Sequence, residues 1–209
     1  MPAPPLLVIT DRRAPARWPL SDAVAAAFAG GCRWVMVREK DLPPAALAAL
    51  VEEIVALARP FGAAVSVNGD ATVAAECSAS GVHLPQGQDL AAARRIAGEA
   101  ALVGVSAHSL DEAHAAEAQG ADYVTLSPVF PSESKPGYGP ALGPDGLARI
   151  AAALDIPVVA LGGITAANAE ECLATGAAGV AVLGAVMRAE DPAHAVADIV
   201  EAIAVARQP

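Results

Sequence analysis

The sequence predicts a (β/α)8 TIM barrel, and three observations carry that prediction. Short β-rich runs alternate with longer alanine-rich segments along the whole chain. The runs are apolar on both faces, as strands of a parallel sheet covered by helices must be. A glycine also precedes a strand in GCRWV (31–35), GADYV (120–124) and GAAGV (176–180), where it serves as a helix C-terminal residue leading into a buried strand. The chain is expected to form a single domain over residues 1–209. A doubly wound open sheet is the competing architecture. The barrel is preferred because the eighth β/α unit is complete and no run reads as an edge strand.

Taken in order, the strand candidates are LLVIT (6–10), RWVMVR (33–38), AAVSVN (63–68), GVHL (81–84), ALVGVS (101–106), YVTLS (123–127), PVVAL (157–161) and GVAVL (179–183). Between them, segments such as PAALAALVEEIVALARP and SLDEAHAAEAQG place apolar residues three and four apart, the period of an amphipathic helix. Ser109 opens SLDE as a capping box, and Thr165 opens TAAN after a glycine pair. The hydrophobic fraction is 55% but aromatics make up only 3%, so the core is expected to be aliphatic.

A net charge of −10 disfavours nucleic acid and anionic membrane surfaces as partners. An anionic small molecule needs only a local positive cluster. Cys32, Cys77 and Cys172 have no CxxC spacing and read as reduced, buried thiols. No signal peptide and no apolar run of membrane-spanning length is present, so a cytoplasmic protein is expected. The sequence also lacks GxSxG, HExxH, a P-loop and GxGxxG. Oligomeric state cannot be read from it.

In a barrel, function gathers at the C-terminal ends of the strands. Polar residues collect there: Asp11, Arg38, Glu39, Lys40, Asn68, Asp70, His83, Gln86, Ser106 and His108. LGGIT (161–165) and VLGAV (182–186) follow the last two strands. Their glycines, Gly162, Gly163 and Gly184, would let backbone amides and helix starts meet a phosphate, or would simply make tight turns. Arg38 and Lys40 lie two apart and suit a phosphate or diphosphate, or else pair with Glu39 and Asp41. Asn68 is a ligand contact or half of an ordinary Asn-Gly turn. His83 is a proton-transfer group or a satisfied core residue.

VREKDL, VNGD, GVHLPQGQDL, GVSAHS, GADYVTLSPVFPSESK, ALGGIT and GVAVLGAV occur in the order found in the thiamine phosphate synthase / TenI family, which the chain resembles from about Leu6 to the last helix. The resemblance implies a barrel that binds a phosphorylated thiazole in thiamin biosynthesis. Two chemistries occur there. Synthases join hydroxymethylpyrimidine diphosphate to thiazole phosphate, expelling diphosphate with Mg2+. TenI-like tautomerases aromatise a thiazole phosphate carboxylate without metal. By the same resemblance, Gly162, Gly163, Leu183 and Gly184 match the thiazole phosphate cradle, and Ser132, Ser134 and Lys135 match the run that grips diphosphate. Arg38, Lys40, Asn68 and Ser106 match the remaining diphosphate and pyrimidine contacts.

Three departures favour the tautomerase. Met36 stands where synthases have glutamine, Gly69 where they have a metal-binding aspartate, and Gln88 where they have the second; Asp70 and Asp89 each come one residue late. The histidine that TenI proteins carry before the V-F of the sixth loop is Pro128 here. The leading expectation is therefore a tautomerase without cofactor, with His83 as the proton shuttle. The alternative is a Mg2+-dependent synthase using Asp70 and Asp89, and a further alternative is a non-catalytic sensor of a phosphorylated ligand.

Overall fold

The computed structural model describes residues 1–14, 17–131 and 140–208. Its strands are β1 (Leu6–Ile9), β2 (Trp34–Val37), β3 (Ala64–Asn68), β4 (Gly81–Leu84), β5 (Leu102–Ala107), β6 (Tyr123–Leu126), β7 (Val158–Leu161) and β8 (Gly179–Val182). Each pairs in parallel with its sequence neighbours, and β8 returns to β1 with Leu6 opposite Val180. The sheet is thus a closed barrel, not the open alternative.

The helices are α1 (Leu20–Ala29), α2 (Pro44–Ala58), α3 (Ala71–Glu76), α4 (Leu90–Ala97), α5 (Leu110–Ala118), α6 (Gly143–Ala151), α7 (Ala166–Ala174), α8 (Gly184–Met187) and α9 (Pro192–Ala206). They form the outer ring, with α9 packed on α1 and α7. The short α8 is an extra turn ahead of the long closing helix. Among the described residues no helix is long and apolar enough to cross a membrane.

Strand side chains alternate between two separate cores, because successive residues point to opposite faces. Leu6, Val8, Val35, Val37, Val65, Val67 and their equivalents face outward and join the helices in one aliphatic shell. Leu7, Ile9, Trp34, Met36, Tyr123, Val159 and Ala181 face inward and fill the barrel. The expectation of an aliphatic core therefore holds only for the shell. Trp34 and Tyr123 meet edge to face at 4.9 Å inside the barrel. Gly104 makes room for them: a Cβ there would fall 2.0 Å from the Tyr123 ring.

Helix starts follow the sequence chemistry, with one revision. Asn168 Oδ1 accepts from the Thr165 N–H at 2.8 Å, the return half of a capping box. At α5 the Ser109 hydroxyl accepts from the Glu112 N–H at 3.2 Å. Glu112, however, reaches one residue further back and accepts from the His108 N–H at 2.7 Å. Cys32, Cys77 and Cys172 are free and buried. Burial pushes the Cys32 and Cys172 thiols up to about 11, so both stay protonated.

Candidate functional site at the barrel mouth

β1 and β2 end in a charged loop pair that shapes one side of the mouth. The Thr10 hydroxyl donates to Glu39 Oε1 at 2.7 Å and accepts from the Arg38 N–H at 2.9 Å. Glu39 also accepts from the Arg12 N–H at 3.1 Å, so its nearly buried carboxylate ties the two loops together. Burial raises the Glu39 pKa, and the Thr10 and Arg12 hydrogen bonds oppose that rise. Asp41 pairs with both Arg12 and Arg13. A pocket of about 280 Å3 opens here, lined by Asp11, Arg13, Arg38, Glu39, Lys40 and Asp41.

This wiring decides how the cation pair is read. Glu39 and Asp41 are spent on Arg12 and Arg13, and the Arg38 guanidinium makes no salt bridge to either among the described residues. Arg38 is half-buried, and its charge is felt by His83 on β4. It lines the pocket formed by the loops after β1 and β2. Lys40 sits further out, exposed on the pocket rim.

Asn68 ends β3 directly beside His83, and the Gly69 N–H donates to the His83 carbonyl at 2.8 Å. Gly69 has φ 79°, a left-handed turn that directs Asp70 onto the start of α3. There Asp70 Oδ1 accepts from the Val73 N–H, and Asp89 likewise caps α4 through Ala92, each at 2.9 Å. These two carboxylates, expected as the metal pair of a synthase, are built as helix caps. Among the described residues no group of three His, Cys, Asp or Glu side chains converges to hold a metal ion. Asp70 and Asp89 are each held at a helix start through one carboxylate oxygen, and no step is assigned to a metal ion.

His83 is 2% exposed and held by hydrogen bonds on both ring nitrogens. Nδ1 lies 3.0 Å from the Tyr123 hydroxyl; Nε2 lies 3.0 Å from Ser106 Oγ and 3.2 Å from Thr125 Oγ1. Burial first, and the Arg38 charge second, push its pKa down to about 3. The proton-shuttle assignment assumed a histidine titrating near neutrality; this environment holds a neutral one. Ser106 is the half-buried end of this group and faces the mouth. His108 stands apart from it, its Nδ1 2.7 Å from the Ser127 carbonyl.

Across the mouth, the ends of β7 and β8 present backbone. Gly162 and Gly163 have φ 99° and 66°. A Cβ on Gly163 would lie 2.5 Å from the Pro131 carbonyl oxygen, and one on Gly162 2.9 Å from Pro128 Cα. The loop after β6 continues along this turn, Val129 N–H to Leu161 O at 2.9 Å and Phe130 N–H to Gly162 O at 3.0 Å. The glycine pair thus serves a close loop contact as well as leaving amides at the mouth. Leu183 packs on the inner core, and Gly184 opens α8 with the Arg188 guanidinium lying against it. Ser132, Ser134 and Lys135 lie outside the described residues.

Sequence reasoning passed over Thr10, Tyr123, Thr125 and Arg188. Tyr123 and Thr125 sit in a run read only as strand, and Arg188 carried no motif. Thr10 and Glu39 were legible as types at strand ends, but not as partners across 29 residues.

The fold and site define a barrel whose strand ends gather a cationic loop and a glycine-lined turn around one mouth. The chain belongs to the thiamine monophosphate synthase family, whose model matches residues 6–186. It is 44% identical over 187 residues to a thiamine-phosphate synthase of Roseiflexus castenholzii, covering 88% of this chain and 82% of that one. Over 197 residues it is 43% identical to the thiamine-phosphate synthase of Chlorobium luteolum, covering 92% and 90%. A solved thiamine phosphate pyrophosphorylase from Pyrococcus furiosus superposes with a TM-score of 0.87 at 34% identity, covering 97% and 96%.

Proposed function

We propose that this protein is a thiamine-phosphate synthase, joining hydroxymethylpyrimidine diphosphate to thiazole phosphate with expulsion of diphosphate. This reverses the order of the two expectations drawn from the sequence. The relatives bearing the synthase name support it, and within the site one observation carries it. Arg38 lines the pocket while Glu39 and Asp41 on either side of Lys40 are committed to Arg12 and Arg13. A cation held in this way suits an anion that gains charge as it leaves, which is what expelled diphosphate does. Arg38, with Lys40, Asn68 and Ser106, would hold the diphosphate side. The amides at Gly162–Gly163 and Leu183–Gly184 would hold the thiazole phosphate opposite.

The tautomerase remains a second reading because of one feature. The left-handed Gly69 and the cap roles of Asp70 and Asp89 leave the expected carboxylate positions without metal ligands. The test is incubation of the full chain with both synthase substrates, with and without Mg2+, following thiamine phosphate. Robust product formation supports the synthase. No product, together with turnover of the thiazole carboxylate tautomer, replaces it with the tautomerase. Binding of thiazole phosphate without either turnover leaves only the sensor.

A further inference from the structure

The loops after β1 and β2 are joined by side chains at the point where the strand ladder between them stops. The last ladder step runs from the Thr10 N–H to the Met36 carbonyl at 3.0 Å. One step further, a parallel ladder would give the Arg38 N–H to a backbone carbonyl. It goes instead to the Thr10 hydroxyl at 2.9 Å. That hydroxyl has one proton, which it donates to Glu39 Oε1 at 2.7 Å. Glu39 also accepts from the Arg12 N–H with both oxygens, at 3.1 and 3.2 Å, and the Arg12 guanidinium stands 3.7 Å away. Thr10 is fully buried and Glu39 is 5% exposed, yet Glu39 forms part of the pocket wall between Arg38 and Lys40 in sequence.

A carboxylate in that wall works against an anionic ligand. Its charge repels the anion, and its burial costs free energy that only good hydrogen bonds offset. We infer that Thr10 and Glu39 are positioning residues: they tie the loop after β2 to the loop after β1 and so hold Arg38 and Lys40 on the pocket. Beyond Val37 the chain has left the ladder, and the tie takes over from it at Arg38, at Glu39 and, across the gap, at Arg12. Cations fixed before the ligand arrives need not be ordered when it binds. That the ligand is a diphosphate rests on the synthase reading; the tie does not.

Charge alone and the tie predict opposite signs for Glu39→Gln. Removing a negative charge from the wall should tighten diphosphate binding. The amide, however, must turn its N–H2 toward donors on Thr10 or on Arg12, which breaks the tie. Weaker binding is therefore expected, by about three- to ten-fold in calorimetry of the full chain with inorganic diphosphate. Binding of thiazole phosphate, assigned to the opposite side of the mouth, should not change. Tighter or unchanged diphosphate binding by a folded Glu39→Gln variant overturns the inference. An equal fall for both ligands marks a general loss of structure and overturns it as well.

Thr10→Val keeps the bulk and removes the hydroxyl, so it should also weaken diphosphate binding; it serves if Glu39→Gln does not fold. Thr10→Ser returns the hydroxyl and should recover the affinity. A serine variant as weak as the valine one contradicts the tie. Amide hydrogen exchange without ligand reads the tie directly. The Arg38 and Arg12 amides should be protected in the wild type and in Thr10→Ser, and should exchange faster in Thr10→Val. Wild-type amides that exchange as fast as those of an exposed loop overturn the inference. Failure of the wild type to bind diphosphate, with both amides protected, would sink the synthase reading and leave the tie standing.

Discussion

The two sides of the barrel mouth are built from different parts of the polypeptide. At β1 to β5 the groups facing the site are side chains: Arg38, Lys40, Asn68 and Ser106 above a buried histidine. At β7 and β8 they are backbone, exposed by Gly162, Gly163 and Gly184. A side-chain site can be changed one charge at a time without disturbing the fold. A backbone site cannot, because the glycines that expose it also admit the loop after β6. The proposal assigns the group that must leave to the first side and the group that must stay to the second.

Five substitutions would break or sharpen that contrast. The largest effect is expected from Arg38→Met, which removes the cation and keeps most of the side-chain bulk. Affinity for inorganic diphosphate should fall by about 10- to 100-fold, the range of one charge-assisted hydrogen bond, with unchanged thermal stability. Calorimetry and a melting curve together check it. Gly163→Ala should act through the fold instead. Its Cβ would meet Pro131 and Phe130 in a left-handed backbone. A loss of about 1–3 kcal/mol in denaturant unfolding is expected, alongside weaker thiazole phosphate binding.

Beneath the charged side, His83 makes stability depend on pH. Its pKa in the folded chain lies near 3, below the usual 6.5, so below pH 6.5 the unfolded chain takes up a proton that the folded chain refuses. Its contribution is complete above about pH 6.5 and shrinks by about 1.4 kcal/mol per pH unit down to the folded pKa. At pH 5 the loss is about 2 kcal/mol relative to neutral pH. Urea unfolding of the wild type against His83→Asn should show this slope in the wild type alone. The smallest effects belong to Asp70→Ala and Asp89→Ala, about 1 kcal/mol each from lost helix caps. Loss of Mg2+-dependent activity in either variant, beyond what that destabilisation explains, would return the carboxylates to the metal.

The barrel was legible because each strand is an uninterrupted apolar run between helical repeats, and the observed strands lie within the predicted ones except β5, which runs one residue further, to Ala107. That same continuity hid the interior. Residues apolar on both faces carry no period to tell inward from outward, so Trp34, Ser66, Tyr123 and Thr125 gave no sign of meeting. The charged residues of the mouth could be found by type, since acids and bases at strand ends have few structural duties. Their pairing could not be: Glu39 turns to Thr10 and Arg12, and Asp41 to Arg12 and Arg13, across loops distant in sequence. Asp70 and Asp89 each precede an alanine-rich run, the ordinary place of a helix cap, and the family resemblance drew attention to the metal instead. The first cue was the structural one.

The division of the mouth is tested most directly by a crystal structure of the protein with thiazole phosphate and inorganic diphosphate bound together. The account predicts the thiazole phosphate group on the amides of Gly162–Gly163 and Leu183–Gly184, and diphosphate against Arg38 within reach of Ser106. Thiazole phosphate seated on Arg38, or diphosphate on the glycine turns, would contradict it.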